Sequence, residues 1–427
     1  MYKNTDCCEA LDASGKIKVS EKTKIQIKDL CVLYVISWAT IPVLSISSIF
    51  RLLAFFCCAL FMVSTIFKLR GKILNYLLLS VALIVMLFGI IWIFQDDFDF
   101  AISRAVNLFV FAMLGLFSMY YYQYERSKLR IFCFYIVVLF FVLAVPSLIA
   151  VQSDPYIMRQ ASGEKIRSGI ELFVGAYGYV YGCVFLVTIL AYALKNGKQK
   201  VCAKVFQIIL ISFFVFLILN AGFTTAIILT VLGIIMSLSV RNSGWKTIII
   251  FGIIGVVLIS VIPVVLEYIF ENFDIPQVYQ QKLSVLMDIT DSSGDTTYTD
   301  STRGQLLVRG LDAILEYPIL GSVILSGEHA AGAHQALVDV MANYGLLYAV
   351  IYYFVIYYTA FRQLKSEPKL QLVVGLLLFI LGFTNTYDYT TFIIPLFAGP
   401  YIAERSVESH IKNHIYEEKV EKENVQL

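Results

Sequence analysis

Charged residues are scarce in this sequence. Asp, Glu, Lys and Arg make up 15% of its 427 residues, whereas 59% are apolar and the mean hydropathy is +0.77. A soluble domain is nearer to half apolar and about a quarter charged. An apolar excess spread over the whole length excludes a soluble enzyme. The formal net charge of +2 provides no large electrostatic field for a polyanion, which excludes a nucleic-acid binder.

The sequence also lacks the features of a secreted, disulfide-bonded protein. All eight cysteines fall in predicted cytoplasmic or membrane positions, so we expect no external disulfide. Residues 1–29 are too charged for a cleavable signal peptide and have no short apolar core. We therefore expect the first apolar helix to serve as an uncleaved signal.

Apolar runs of about twenty residues are abundant, and this length crosses a hydrocarbon layer of about 30 Å as a helix. They predict an all-α, polytopic membrane helix bundle. We predict twelve transmembrane helices, near residues 30–47, 50–68, 73–94, 101–122, 130–151, 171–194, 203–219, 222–240, 247–268, 336–361, 369–386 and 390–404. A tight turn at Asn220 and Gly222 is predicted to separate the seventh helix from the eighth.

Lys and Arg collect in alternate connections, as in the cytoplasmic loops of membrane proteins. Both termini are therefore predicted to be cytoplasmic. The predicted order is a cytoplasmic leader, nine spans that include an external loop at 152–170, a large external loop, three spans and a cytoplasmic tail. These segments occupy residues 1–29, 30–268, 269–335, 336–404 and 405–427.

The centres of the predicted spans are nearly free of charge, whereas a transporter holds ionisable residues there along its pathway. Polar residues are concentrated on the predicted external side, above all in 269–335. This distribution favours an enzyme whose site opens outward, at the boundary between lipid and water.

A short helix is predicted from Arg303 to Tyr317 in the large external loop. Its apolar residues recur at helical spacing, Ser301 or Thr302 can cap its start, and Pro318 stops it. We expect this helix to lie along the outer membrane boundary with arginines near its start. One interpretation is a functional site, and the other is an interfacial helix whose arginines reach lipid headgroups.

His334 lies at the mouth of the tenth predicted span, where an imidazole can act as a base near neutral pH. Asp339 follows five residues later, so it is not on the same face of an ideal helix, but it can orient another polar partner. A histidine at a helix entrance is more often only a polar terminal residue. The residues around it therefore decide which interpretation holds.

Those residues resemble a known family. Ser301-Thr-Arg303, Pro318-x-x-Gly321, His334-Gln-x-Leu-x-Asp339 and Gly345-Leu-Leu are similar to motifs of the O-antigen polymerase and O-antigen ligase superfamily. The earlier segment Arg167-Ser-Gly169, which leads into Gly175-Ala-Tyr177, resembles the family's Arg-x-Gly approach to a span. The resemblance covers most of residues 150–350.

The resemblance implies a glycosyltransferase that takes a glycan from a polyprenyl diphosphate on the outer face of the bacterial cytoplasmic membrane. It implies that Arg167, Arg303 and Arg309 hold the diphosphate, and forked guanidinium groups suit its growing negative charge. His334 is the expected base for the acceptor hydroxyl. The lesser candidates are Arg159, Lys165, Asp339 and Tyr177.

One departure from the family separates its two activities. The ligases carry a Ser-Arg pair between the seventh and eighth spans, but the sequence here reads Asn220-Ala-Gly-Phe-Thr-Thr-Ala226. This favours a polymerase that joins lipid-linked repeat units over a ligase that transfers the finished chain. A flippase for the lipid-linked unit is the alternative of another class, and it should hold cations deep in a central cavity.

Cofactors and partners follow from the same comparison. Asp97-Phe-Asp99 has the Asp-x-Asp form of metal-dependent glycosyltransferases, but acidic outer loops are common and the resembled family works without metal. We therefore expect no metal and no cofactor. The expected partners are lipid-linked oligosaccharides and membrane lipid. A chain-length regulator and the kind of glycan, whether O-antigen in lipopolysaccharide, capsule or exopolysaccharide, stay open.

Overall fold

The computed structural model describes residues 24–154, 157–160, 172–197, 199–240, 268, 303–326, 335–403 and 405. Within these residues the chain is helical and has no strand. The helices are α1 Ile27–Thr40, α2 Pro42–Ile46, α3 Ser48–Thr65, α4 Lys72–Gln95, α5 Phe98–Tyr124, α6 Leu129–Ser153, α7 Ile157–Gln160, α8 Tyr177–Asn196, α9 Val201–Ala221, α10 Thr224–Ser239, α11 Arg303–Glu316, α12 Gly321–Ser326, α13 Ala336–Gln363, α14 Pro368–Thr384 and α15 Tyr389–Ile393. A π-helical turn, Ile394–Ala398, continues α15 towards Ala403.

The length and surface of these helices suit a bilayer. Among the described residues, seven helices are long and apolar enough to cross a membrane, and three shorter ones, α10, α14 and α15 with its continuation, are also apolar. Large apolar side chains such as Leu78, Val85 and Ile93 of α4 are exposed on the outside of the bundle. An apolar surface of this extent is covered by lipid. The chain is a polytopic helical membrane protein.

Eleven of the twelve predicted spans fall on described helices, and the ninth, 247–268, lies outside the described residues except for Tyr268. The first predicted span is interrupted between Thr40 and Pro42. Proline lacks an amide hydrogen and disfavours helical backbone at the residue before it, and Ile41 is extended with φ −90° and ψ 113°. The predicted tight turn is confirmed, because α9 ends at Ala221 and α10 begins at Thr224.

Helix α8 lies at the centre of the bundle. It is buried along nearly its whole length and packs against α9, α10, α14 and α15. Its fully buried side chains include Tyr179, Tyr181 and Tyr192. Burial on all sides fixes the position of α8, and therefore the positions of the residues that begin it.

A buried ion-pair network joins α1, α5 and α6. Lys128 contacts Asp29 at 2.6 Å and Glu125 at 2.7 Å, and Lys28 pairs with Glu125. Burial alone would raise the pKa of Glu125, but hydrogen bonds from both lysines and from Tyr120 outweigh it and lower that pKa to about 2. We call this end of the bundle the lysine face.

The other helix ends gather at the opposite end of the bundle, which we call the asparagine face after Asn385. There the Thr390 hydroxyl donates to the carbonyl of Ala39, near the end of α1, at 2.9 Å. Helix α1 therefore runs from the lysine face to the asparagine face, where α14 ends and α8, α13 and α15 begin.

Candidate functional site

Asn385 links the starts of two helices on the asparagine face. Its carbonyl accepts the amide hydrogen of Ala336 at 3.1 Å, and its side-chain Nδ2 donates to Tyr181 Oη at 2.9 Å. Asn385 is buried. Because His334 lies two residues before Ala336 and the Arg167 segment leads into α8, Asn385 joins the helices that follow both motifs.

The start of α8 forms an aromatic and polar surface. The half-buried Tyr177 ring lies 4.6 Å from the Tyr181 ring and 5.6 Å from Phe223, measured between centroids. Gly178 lies directly beneath Asp388, since a Cβ there would come within 2.3 Å of Asp388 Cγ. Only glycine leaves room for the carboxyl group at this position.

Asp388 is an acidic group that sequence reasoning missed. Its Oδ1 accepts the amide hydrogen of Thr390 at 2.7 Å and so caps the start of α15. Burial raises the pKa of Asp388, and the hydrogen bonds from Thr390 only partly offset this effect. An aspartate that caps a helix is common in sequences. Nothing around Asp388 therefore indicates that its side chain lies beside Gly178.

Asp339 fixes the backbone next to His334. Its Oδ2 accepts the amide hydrogen of Gln335 at 2.6 Å, and its own amide donates to the Gln335 carbonyl at 2.8 Å. The Asp339 carboxylate therefore satisfies the amide of the N-cap residue of α13, and the second bond is the first backbone bond of the helix. One polar group that Asp339 orients within the described residues is thus the backbone of Gln335.

The two glycine motifs of the large loop and the tenth predicted span lie together. Helix α13 breaks at Gly345, which has φ +75° and ψ 172°. The amide of Leu346 donates to the carbonyl of Pro318 at 2.9 Å, and Leu347 donates to Ile319 at 3.4 Å. The Pro318-x-x-Gly321 turn therefore caps the amide groups that the break in α13 exposes.

Helix α11 matches the helix predicted from Arg303 to Tyr317 almost to the residue. Its Ala313 packs beside Ala342 of α13, whereas Val308, Leu311 and Leu315 are exposed on another side. The predicted apolar stripe is thus divided between a face on α13 and an outward face. Arg309 is exposed and has no hydrogen bond or ion pair within the described part of the chain.

The described structure covers the predicted site residues unevenly. Tyr177, Asp339 and Arg309 are placed with their side chains, and only the helical backbone is described at Arg159 and Arg303. Arg167, Lys165 and His334 lie outside the described residues. Pro318, just after α11, lies beside Leu346, and Ala313, earlier in α11, lies beside Ala342. The two helices therefore run in the same direction, and the start of α11 lies on the side where α13 starts. The Arg303 end of α11 therefore points towards the chain that follows His334.

The Asp97-Phe-Asp99 sequence has a structural role in the fold. Asp97 Oδ1 accepts the amide hydrogen of Phe100 at 2.9 Å and caps α5. Among the side chains that the structure describes, no group of three His, Cys, Asp or Glu residues could hold a metal ion.

No protein-family model matches the chain, and a search of curated proteins finds no match. The resemblance to the O-antigen polymerase and ligase superfamily therefore rests on the short motifs alone.

Proposed function

We propose that the protein is a polysaccharide polymerase, a glycosyltransferase that joins polyprenyl-diphosphate-linked repeat units on the outer face of a bacterial cytoplasmic membrane. The observation that supports this proposal is that α8 and α13, the helices that follow two of the motifs, both begin at one end of an apolar helical bundle. Asn385 joins the helices that follow Arg167 and His334, and α11 runs back towards the same place.

The proposed reaction needs no nucleotide sugar. The acceptor is a hydroxyl oxygen of one lipid-linked unit, and it attacks the anomeric carbon of the sugar on a second carrier. A new carbon–oxygen bond forms, and the bond from that carbon to the diphosphate breaks. The proton of the acceptor hydroxyl passes to His334 as the base, and polyprenyl diphosphate leaves with the bonding electron pair.

The residue roles follow from charge development. The leaving diphosphate gains negative charge, and Arg167, Arg303 and Arg309 would stabilise it as forked donors. Arg309 is exposed on a helix packed against α13, so it is open to an incoming headgroup. Tyr177 and Asp339 would support the site, because they shape the starts of α8 and α13.

A ligase is the second candidate within this class. The family resemblance would require an arginine between the seventh and eighth spans, and the turn between α9 and α10 offers Gly222 and Phe223 instead. A flippase would need cations deep in the bundle. The lysines of the described network, Lys28 and Lys128, lie instead at the lysine face, and Arg104 lies within the first two turns of α5, near the asparagine face. These observations favour the polymerase.

The same proposal includes the topology of twelve spans with both termini in the cytoplasm and the asparagine face outside. It can be tested with the full chain carrying single cysteines in place of Ser293 and Ser406, in a background without native cysteine. A membrane-impermeant maleimide should label position 293 in intact cells, and position 406 only after the cells are opened. Labelling of position 406 in intact cells would overturn the topology.

The function is tested by the surface glycan of a strain that lacks this protein, together with its pool of polyprenyl-linked intermediates. A glycan cut to a single repeat unit supports the polymerase. Long polymer left on the polyprenyl carrier indicates a ligase. Single units trapped on the cytoplasmic leaflet overturn both enzymes and indicate a flippase.

A further inference from the structure

Arg104 is an arginine within an apolar helix on the asparagine side of the bundle. It lies six residues into α5, or about 9 Å along the helix axis. Its guanidinium carbon lies 4.8 Å from the Phe100 ring centroid, and its side chain is exposed. It has no carboxylate partner within the described ranges. A charge at this depth is costly in a bilayer and is usually kept for a function.

Three tyrosines on α13 lie beside Arg104. Tyr344, Tyr348 and Tyr352 recur every four residues, with ring centroids 5.2 and 6.1 Å apart along the row. Helices α5 and α13 both start at the asparagine face and pack against each other with Gly115 beside Thr359, and this register places Arg104 at the level of Tyr348. One cation and three hydroxyl donors are thus brought to the same side of α13.

Tyr348 has a feature that packing alone does not explain. Its side chain is 2% exposed, and its Oη has no hydrogen-bond partner among the residues that the structure describes. A buried hydroxyl without a partner destabilises the fold. A phenylalanine would fill the same space without this cost, so the hydroxyl keeps an unused donor for an acceptor from outside the described residues.

We propose that Arg104, Tyr344, Tyr348 and Tyr352 form a binding site for the diphosphate headgroup of a polyprenyl carrier. This inference rests on the proposed function. Arg104 would serve in place of the arginine that the ligases carry between their seventh and eighth spans and that the turn between α9 and α10 lacks. The guanidinium supplies charge and the tyrosines supply hydroxyl donors to phosphate oxygens. A lone arginine that only reached ordinary lipid headgroups would not require the buried Tyr348 hydroxyl.

The test measures binding of undecaprenyl diphosphate, without sugar, to the purified full-length protein in nanodiscs, with undecaprenol as the probe that lacks phosphate. Arg104→Gln should weaken diphosphate binding about tenfold to a hundredfold, and Tyr348→Phe several-fold, with undecaprenol binding unchanged. Tyr348→Phe should also keep or raise the Tm, because it removes a hydroxyl without a partner. The matched control is Arg51→Gln, since Arg51 is an exposed arginine at the same end of the bundle.

The outcomes separate this inference from the proposed function. If the unmodified protein does not bind undecaprenyl diphosphate, the proposed function and this site both fail. If it binds and Arg104→Gln binds equally well, only this site fails. Equal weakening by Arg104→Gln and Arg51→Gln would indicate general attraction of anionic lipid and would also overturn the site. Selective loss in Arg104→Gln and Tyr348→Phe supports it.

Discussion

The backbone of Gly321 packs directly against the backbone of Gly345. A Cβ on Gly321 would lie 2.4 Å from the amide nitrogen of Gly345, and a Cβ on Gly345 would lie 2.2 Å from the carbonyl oxygen of Ile319. Both glycines have positive φ, +76° and +75°. The end of the large loop is therefore attached to the break in α13 through a contact that admits no side chain on either chain segment.

Alanine at either glycine should break this junction. Gly321→Ala and Gly345→Ala should each destabilise the protein by about 2 kcal/mol or more. In each variant an alanine must adopt a positive φ, and its Cβ must clash with the backbone of the neighbouring segment. Thermal unfolding of the protein in detergent measures the effect. Gly89→Ala is the control, since a Cβ at Gly89 of α4 would meet nothing within 4 Å. Equal Tm values for all three variants would contradict the packing described.

The Glu125 network should make stability depend on pH. The folded-state pKa is about 2 and the ordinary value is 4.5, so the carboxylate stabilises the fold above about pH 4.5 and this contribution is lost as the pH falls towards 2. Glu125→Gln should therefore cost about 2 kcal/mol at pH 7, discounted for partial exposure, and much less at about pH 3.

Thermal unfolding at both pH values measures this difference, with Glu316→Gln as the control at an exposed position of α11. A Glu125→Gln protein that is as stable as the parent at pH 7 would show that the ion pairs contribute nothing. A difference that persists unchanged at pH 3 would show that Glu125 acts through its shape and not its charge.

His334→Ala should abolish polymer formation, because it removes the proposed base while leaving the helices intact. The measurement is the length distribution of surface glycan in a strain that carries only the variant, at matched protein level. His329→Ala, in the same segment, is the control and should retain long chains. Full polymer length and yield from His334→Ala would remove the base assignment.

Arg309→Lys should reduce polymer yield about tenfold or more, because lysine keeps the charge but loses the planar fork. Arg51→Lys is the matched exposed control and should leave polymer yield unchanged. Normal activity of Arg309→Lys would make Arg309 a residue that faces lipid headgroups.

Local features were predictable from the sequence. The turn between α9 and α10, the extent of α11 and its stop at Pro318 follow from glycine, proline and helical spacing. The interruption at Pro42 was within reach, since proline signals it directly. The length of the apolar runs was enough to predict a membrane protein.

Contacts between distant residues were not predictable. Asn385 and Tyr181 are 204 positions apart, and nothing in the residues around either one indicates the hydrogen bond that joins them. The motifs contain both Gly321 and Gly345, but their spacing gives no sign that the two backbones touch. Arg104 and Tyr348 lie on different helices, so only the packing of α5 on α13 relates them.

The central claim is tested most directly with purified protein in liposomes that contain lipid-linked single repeat units from the strain lacking it. No nucleotide sugar is added. The account predicts a ladder of repeat-unit multiples, with one polyprenyl diphosphate released for each new linkage. Repeat units that stay single, or that only move across the bilayer, would contradict it.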